Sequence, residues 1–155
     1  MILLKQIMKV IKIFIITLTF SLSFPILSYG NQSVEEIIKG RKAMFSENYQ
    51  NAKNISILLK SKKIEEAKPL MKKISSNYKK LLNYFPENTK EGFKTEALPS
   101  IWENKDEFSA LMKKASDDMI KLAKAIDTAD DLRAIQKELM WNNCSACHKK
   151  FRAPH

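Results

Sequence analysis

Glycine is scarce in this chain, with three in 155 residues, and no stretch alternates apolar and polar residues convincingly. Together these count against sheets and favour helices. Only two cysteines and two histidines are present, whereas a structural zinc site needs four ligands. No βαβ pattern is visible, so the context of a thioredoxin-like cysteine pair is missing. No constellation of general acid, base and nucleophile stands out, so an enzyme is not expected. What remains is a globular composition, 45% hydrophobic and 28% charged, in a length that suits one domain.

Acidic residues are absent from the first 30 positions. Lys5, Lys9 and Lys12 precede an apolar run from Ile13 to Leu27, and Ser28-Tyr29-Gly30 follows with small residues. This is the layout of a signal peptide with its cleavage site. The run covers 15 residues, short of the ~20 that span a bilayer, and Pro25 interrupts it. Residues 1–30 are therefore expected to be a signal peptide. The domain is expected over 31–155, with the mature chain starting near Asn31 in the periplasm.

The whole chain carries a formal net charge of +10. Removing the three leader lysines leaves 24 basic against 17 acidic residues, or +7. Export argues against nucleic acid as a partner. The lysines are spread along every segment and often alternate with Glu, the pattern of solvated helix faces. An acidic redox partner stays open.

Four stretches carry helical periodicity. The first opens at Ser33 with Glu36 three residues on, the spacing of a capping box, and continues through Ile37, Arg41, Met44, Phe45, Ala52, Ile55 and Leu59. The second spans about Ile64 to Tyr84, and Pro69 predicts either a later start or a bend. A loop follows from about Pro86 to Glu103, long for a helix connection. The third helix is expected after Asn104. The fourth is expected after Thr128 or Asp130, running to about Arg152. One apolar stripe per helix and short turns near Ser61 and Thr128 predict an all-α, antiparallel four-helix bundle.

Cys144-Ser145-Ala146-Cys147-His148 lies on the fourth helix. C-x-x-C-H is the haem attachment pattern of c-type cytochromes. Positions i, i+3 and i+4 share a helix face. Both sulfurs can thus form thioethers to one haem, with His148 beside them as the proximal iron ligand. One covalent haem c near the C-terminus is the expectation. A Cys144–Cys147 disulfide in a haem-free exported helical protein is the alternative. His155, seven residues past His148, is read as a frayed terminal residue and not a second axial ligand.

A C-x-x-C-H motif near the C-terminal end of an exported four-helix bundle resembles cytochrome c′ and the wider class II cytochromes c. The likeness covers about Val34 to Arg152. Arg41 followed by Phe45 resembles the family's Arg and distal residue four apart. Ile101-Trp102 with Phe108 resembles its I-W element, and Phe151-Arg152 its aromatic-basic pair beside the proximal ligand. The resemblance implies that Arg41 pairs with a haem propionate, that Trp102 and Phe108 pack the haem edge, and that Arg152 lies near His148. It also implies a homodimer through the first two helices.

The sixth iron position decides between two functions within this resemblance. A Met there implies a low-spin electron carrier. An aliphatic or aromatic residue implies five-coordinate iron that binds nitric oxide. The matching slot holds Phe45, with Met44 one residue earlier, about 100° around the helix. Phe45 predicts an open, apolar distal pocket for nitric oxide or similar diatomics, offering a bound ligand no hydrogen-bond donor. His148–Met44 ligation for pure electron transfer is the alternative.

Overall fold

The structure, a computed structural model, describes residues 32–154. The signal peptide expected over 1–30, the expected mature start at Asn31 and the terminal His155 lie outside the described residues. Among the described residues there is no strand beyond one isolated bridge pair, Ala97 with Arg152. No helix among them is long and apolar enough to cross a membrane.

Helix α1 runs Val34–Lys60. Its start is fixed as the spacing predicts: Ser33 Oγ accepts from the Glu36 amide at 3.2 Å, and the Glu36 carboxylate accepts from the Ser33 amide at 2.8 Å. Two of the helix's first donors are satisfied in this way. The buried positions of α1 are Ile38, Arg41, Asn48, Ala52, Ile55 and Leu59. Arginine and asparagine thus occupy a face that is otherwise apolar, and both lie where the site forms.

A three-residue turn with Lys62 at φ 58° leads into α2, Ile64–Leu81. Pro69 sits inside α2, so the helix starts before the proline. The backbone bond it forgoes is to the carbonyl of Glu65, an exposed residue that water can serve. The loop after α2 is more structured than its Pro and Gly content predicts. It holds a 3-10 turn at Glu87–Thr89 and a short helix α3 at Ser100–Glu103. Between them Gly92, Phe93 and Lys94 take positive φ values of 91°, 47° and 53°. The loop's end is tied to the chain's end: the Leu98 amide donates to the Phe151 carbonyl at 3.1 Å and the Ala153 amide to the Glu96 carbonyl at 2.8 Å.

Helix α4 spans Lys105–Ala125 and α5 Leu132–Gln136. Asp131 caps α5 by accepting from the Arg133 and Ala134 amides at 2.9 Å each, one residue past the predicted cap. A π turn at Lys137–Trp141 joins α5 to α6, Asn142–Phe151, as one bent run. Helix α2 packs along both α1 and α4, and α6 packs on α4. Small hydroxyls let α2 and α4 approach closely: Ser75 Oγ and Ser116 Oγ lie 2.9 Å apart. Four long helical runs form an antiparallel four-helix bundle around one core of Ile55, Met71, Ile74, Leu81, Met119 and Leu122. Helices α1 and α6 make little direct contact, and the site opens between them.

Candidate functional site

A cavity of about 730 Å³ is lined by α1 on one side and the last helical run on the other. From α1 come Arg41, Phe45, Asn48 and Ala52, a four-three-four spacing that keeps them on one face. The last run contributes Met140, Trp141, Cys144, Cys147 and His148. The π turn explains why Met140 and Trp141 both reach the cavity, since one wide turn shifts the helix register by a residue. The volume lies within the range of cofactor pockets.

Both thiols are free and half-buried. Burial pushes the Cys144 thiol up, and burial together with Cys144 pushes Cys147 to about 11. Each is therefore a protonated thiol at neutral pH. Tyr78 of α2 places its hydroxyl 3.9 Å from Cys144 Sγ. Burial, then the adjacent Cys144, raises the Tyr78 phenol well above its ordinary value, so it too stays protonated. Among the described residues no group of three His, Cys, Asp or Glu could hold a metal.

Arg41 is 2% exposed. Its Nη1 donates to the Tyr84 carbonyl at 3.2 Å and Thr89 Oγ1 at 3.0 Å. Its Nη2 donates to the Thr89 carbonyl at 2.8 Å and Thr95 Oγ1 at 2.7 Å. The guanidinium also lies over the Phe85 ring, 4.7 Å from its centroid. No carboxylate pairs with it among the described residues. Desolvation alone lowers it to about 10, so the cation persists at neutral pH with its charge uncompensated. A buried cation of this kind favours an anion alongside it.

At the other end Arg152 Nη1 lies 3.5 Å from His148 Nδ1, and Arg152 Nε donates to Glu96 Oε2 at 3.0 Å. A guanidinium only donates. In a hydrogen bond between them Nδ1 is thus the acceptor, and Nε2 lies on the opposite edge of the ring.

These parts fit haem: two free thiols and a histidine on one helix face, an apolar cavity before them, and a buried cation at the rim. The family model for cytochrome c′ matches residues 36–152. The chain belongs to the cytochrome c′ family. It is 33% identical over 119 residues to the cytochrome c′ of Rhodospirillum rubrum, covering 75% of this chain and 81% of that one. The solved cytochrome c′ of Rhodopseudomonas palustris superposes with a TM-score of 0.67 at 30% identity, over 79% of this chain and 98% of that one. A cytochrome c prime of Alcaligenes xylosoxidans, solved in a ferrous variant with bound NO, shares the fold at a TM-score of 0.67 and 20% identity, over 79% of this chain and 98% of that one. As a member of the family the chain carries covalent haem c, which sets aside the disulfide alternative.

Within this cytochrome c′ fold most residues singled out by motif meet at the cavity: Arg41, Phe45, Phe108, Cys144, Cys147, His148 and Arg152 all line it. Two do not. Met44 packs against the core, off the cavity. Trp102 stands one layer back, its Nε1 donating to the Phe85 and Pro86 carbonyls at 3.1 Å each. Its ring meets Phe85 edge-on at 6.0 Å, and Phe85 is the ring on the cavity wall. Trp102 thus meets the cavity only through Phe85, because the indole N–H needs a carbonyl and the backbone supplies it there.

Asn48 also belongs to the cavity lining and is 5% exposed; its Nδ2 is shielded from solvent and meets no acceptor among the described residues. No motif points to Asn48 or Tyr78. Asn48 sits seven residues after Arg41 and three after Phe45, so its place on their face was legible from spacing. Tyr78 lies on the buried face of α2 with Met71 and Ile74, a place in which the sequence does not distinguish its hydroxyl end.

Proposed function

We propose that Cys144 and Cys147 bind one haem through thioethers, that His148 is its proximal ligand, and that the iron is five-coordinate. The protein then binds nitric oxide or a similar small diatomic and passes single electrons. Haem supplies the redox and ligand chemistry. The chain's residues hold it, compensate its charge and shape access to it. Arg41, a buried cation without a carboxylate, favours a propionate beside it, and Phe108 packs against the ring. Arg152 lies against His148.

The observation that carries the five-coordinate reading is on α1: the residue that lines the cavity is Phe45, which has no ligating atom, while Met44 packs away from it. The Alcaligenes relative with bound NO supports a diatomic as ligand. Membership of the cytochrome c′ family supports a carrier and gas-binding protein as the reading.

The composition of residues 1–30 supports export to the periplasm. The net charge of +7 beyond them, from 24 basic and 17 acidic residues, favours an acidic redox partner. Ile57, 61% exposed on α1, supports a homodimer through that helix. The ferric optical spectrum of the purified holoprotein tests the central claim. Five-coordinate high-spin iron is expected. A six-coordinate spectrum with a methionine-sulfur band in the near infrared overturns it in favour of His148–Met44 ligation.

A further inference from the structure

Exposed large apolar side chains are few among the described residues: Tyr49 and Ile57 on α1, and Phe93 in the loop before α3. Two of them stand at the mouth of the cavity. Lys42, Ser46, Tyr49 and Lys53 follow one another on α1 at four, three and four residues, so they form one stripe. It runs beside the stripe of Arg41, Phe45, Asn48 and Ala52, and all its residues are exposed. Lys42, Ser46 and Tyr49 line the cavity, which makes the stripe its lip. Across the opening the Trp141 ring meets Tyr49 edge-on at 6.5 Å. Phe93 joins the lip from the loop, because Lys42 Nζ donates to the Lys94 carbonyl at 3.0 Å.

Phe93 is 48% exposed and takes a φ of 47°, between Gly92 and Lys94 that also take positive values. A bulky side chain rarely adopts that region. Burial of the ring does not offset the strain, so the loop holds an aromatic out in water against local preference.

Charge around the lip is one-sided. Lys53 Nζ sits over the Tyr49 ring at 5.5 Å from its centroid. No carboxylate among the described residues pairs with Lys42, Lys53 or Lys94. Glu47 turns to α2, where it accepts from Asn77 Nδ2 at 2.7 Å and pairs with Lys73 at 3.3 Å. Glu96 is taken by Arg152 at 3.0 Å. Glu91 in the loop and Glu138 in the π turn remain, with Lys137 next to the second. The lip thus keeps a surplus of positive charge. Ile57 lies about 12 Å further along α1 than Tyr49, clear of the mouth. A second copy seated on the lip would bring the same lysines against these, whereas an acidic surface is attracted.

We propose that this lip, with Tyr49 and Phe93 as aromatic anchors among Lys42, Lys53 and Lys94, is where an acidic one-electron carrier protein docks. The inference rests on the electron-carrying reading above and gives it a place on the molecule. Buried aromatics dominate interface energies, while the lysines set orientation and encounter rate. Electron tunnelling falls steeply with distance, and a protein seated on the lip covers the opening of the cavity. The exchange moves one electron between the carrier and the haem iron, with no proton and no bond.

The test is reduction of the ferric holoprotein by a reduced plant-type ferredoxin, an acidic one-electron protein, followed by stopped flow. The second-order rate is expected to fall as salt rises. K42E/K53E is expected to lower it about tenfold at low salt and to flatten its salt dependence. Y49S and F93S are each expected to lower it roughly threefold with the salt dependence kept. K79E/K124E, the same charge reversal on α2 and α4, should react as wild type. Hexaammineruthenium(II), a small cation that needs no docking, should reduce K42E/K53E no more slowly than wild type, which separates lost docking from a damaged haem site. An equal loss in both double variants, or an unchanged rate in K42E/K53E, overturns the proposal. A changed sedimentation coefficient in Y49S also overturns it, by giving the lip to a second copy. If neither reductant reduces the holoprotein, the electron-carrying reading falls, and the docking face with it.

Discussion

The Asp118 carboxylate accepts from Asn143 Nδ2 at 2.9 Å, one residue before the first cysteine of the C-x-x-C-H motif. Lys114 and Lys121 bond the same carboxylate, and Lys114 also reaches Asn143 Oδ1 at 3.1 Å. Asn143 donates as well to the Leu139 carbonyl at 2.9 Å, inside the π turn. A buried acid on α4 thus holds the segment that carries both thiols, at the point where the helix ladder is irregular. Replacing Asp118 by Ala leaves the Asn143 amide short of an acceptor. A loss of about 2 kcal/mol is expected, measured as a lower urea midpoint with unchanged slope.

The same carboxylate sets a pH dependence. Burial alone would raise its carboxyl, but hydrogen bonds from Lys114, Asn143 and Lys121 outweigh burial and hold it below the ordinary 3.8. A depressed folded value means the stabilisation is complete above 3.8 and disappears as pH falls through the lower folded value. D118N should flatten the acid limb of the stability-against-pH curve below pH 4 relative to wild type. Parallel acid limbs in the two proteins would argue against this account.

Arg41 holds the loop before α3 through four bonds to Tyr84, Thr89 and Thr95. R41L strands buried acceptors and should cost roughly 3 kcal/mol. R41K should recover only part of that, because an ammonium cannot match a planar fork with four acceptors. Full recovery in R41K, by thermal or urea unfolding, would show that charge alone matters here.

Phe45 and Met44 separate the two iron states. F45M puts sulfur on the cavity face and should convert the ferric spectrum toward six-coordinate low-spin, with a sulfur–iron band in the near infrared. M44L should leave the spectrum unchanged, since that side chain packs on the core. A spectral change in M44L and none in F45M would reverse the assignment of the sixth position.

Ile57 is exposed on α1 with no role in the bundle's own core. I57K should drive the proposed homodimer toward monomer in sedimentation velocity, with an unchanged ferric spectrum. Burial of such a side chain is worth about 1.5–3 kcal/mol, so the dissociation constant should rise by at least tenfold. An unmoved sedimentation coefficient would place any dimer contact elsewhere.

Residue order alone was enough for the four helices, the capping box at Ser33, and the face shared by Cys144, Cys147 and His148, because these follow from contacts three and four residues apart. It was enough too for Arg41 and Phe45 on one face of α1. Tertiary structure decided what depends on distant partners. It set Trp102 behind Phe85, because the indole found carbonyls at Phe85 and Pro86. It turned Met44 off the cavity, though Met44 and Phe45 are neighbours in the chain. It also joined Asn48 to Asn77 and Glu47 on two helices, leaving one amide hydrogen-bonded on one side only. Local periodicity fixes which way a side chain leaves its helix, but only packing between helices decides what it meets there.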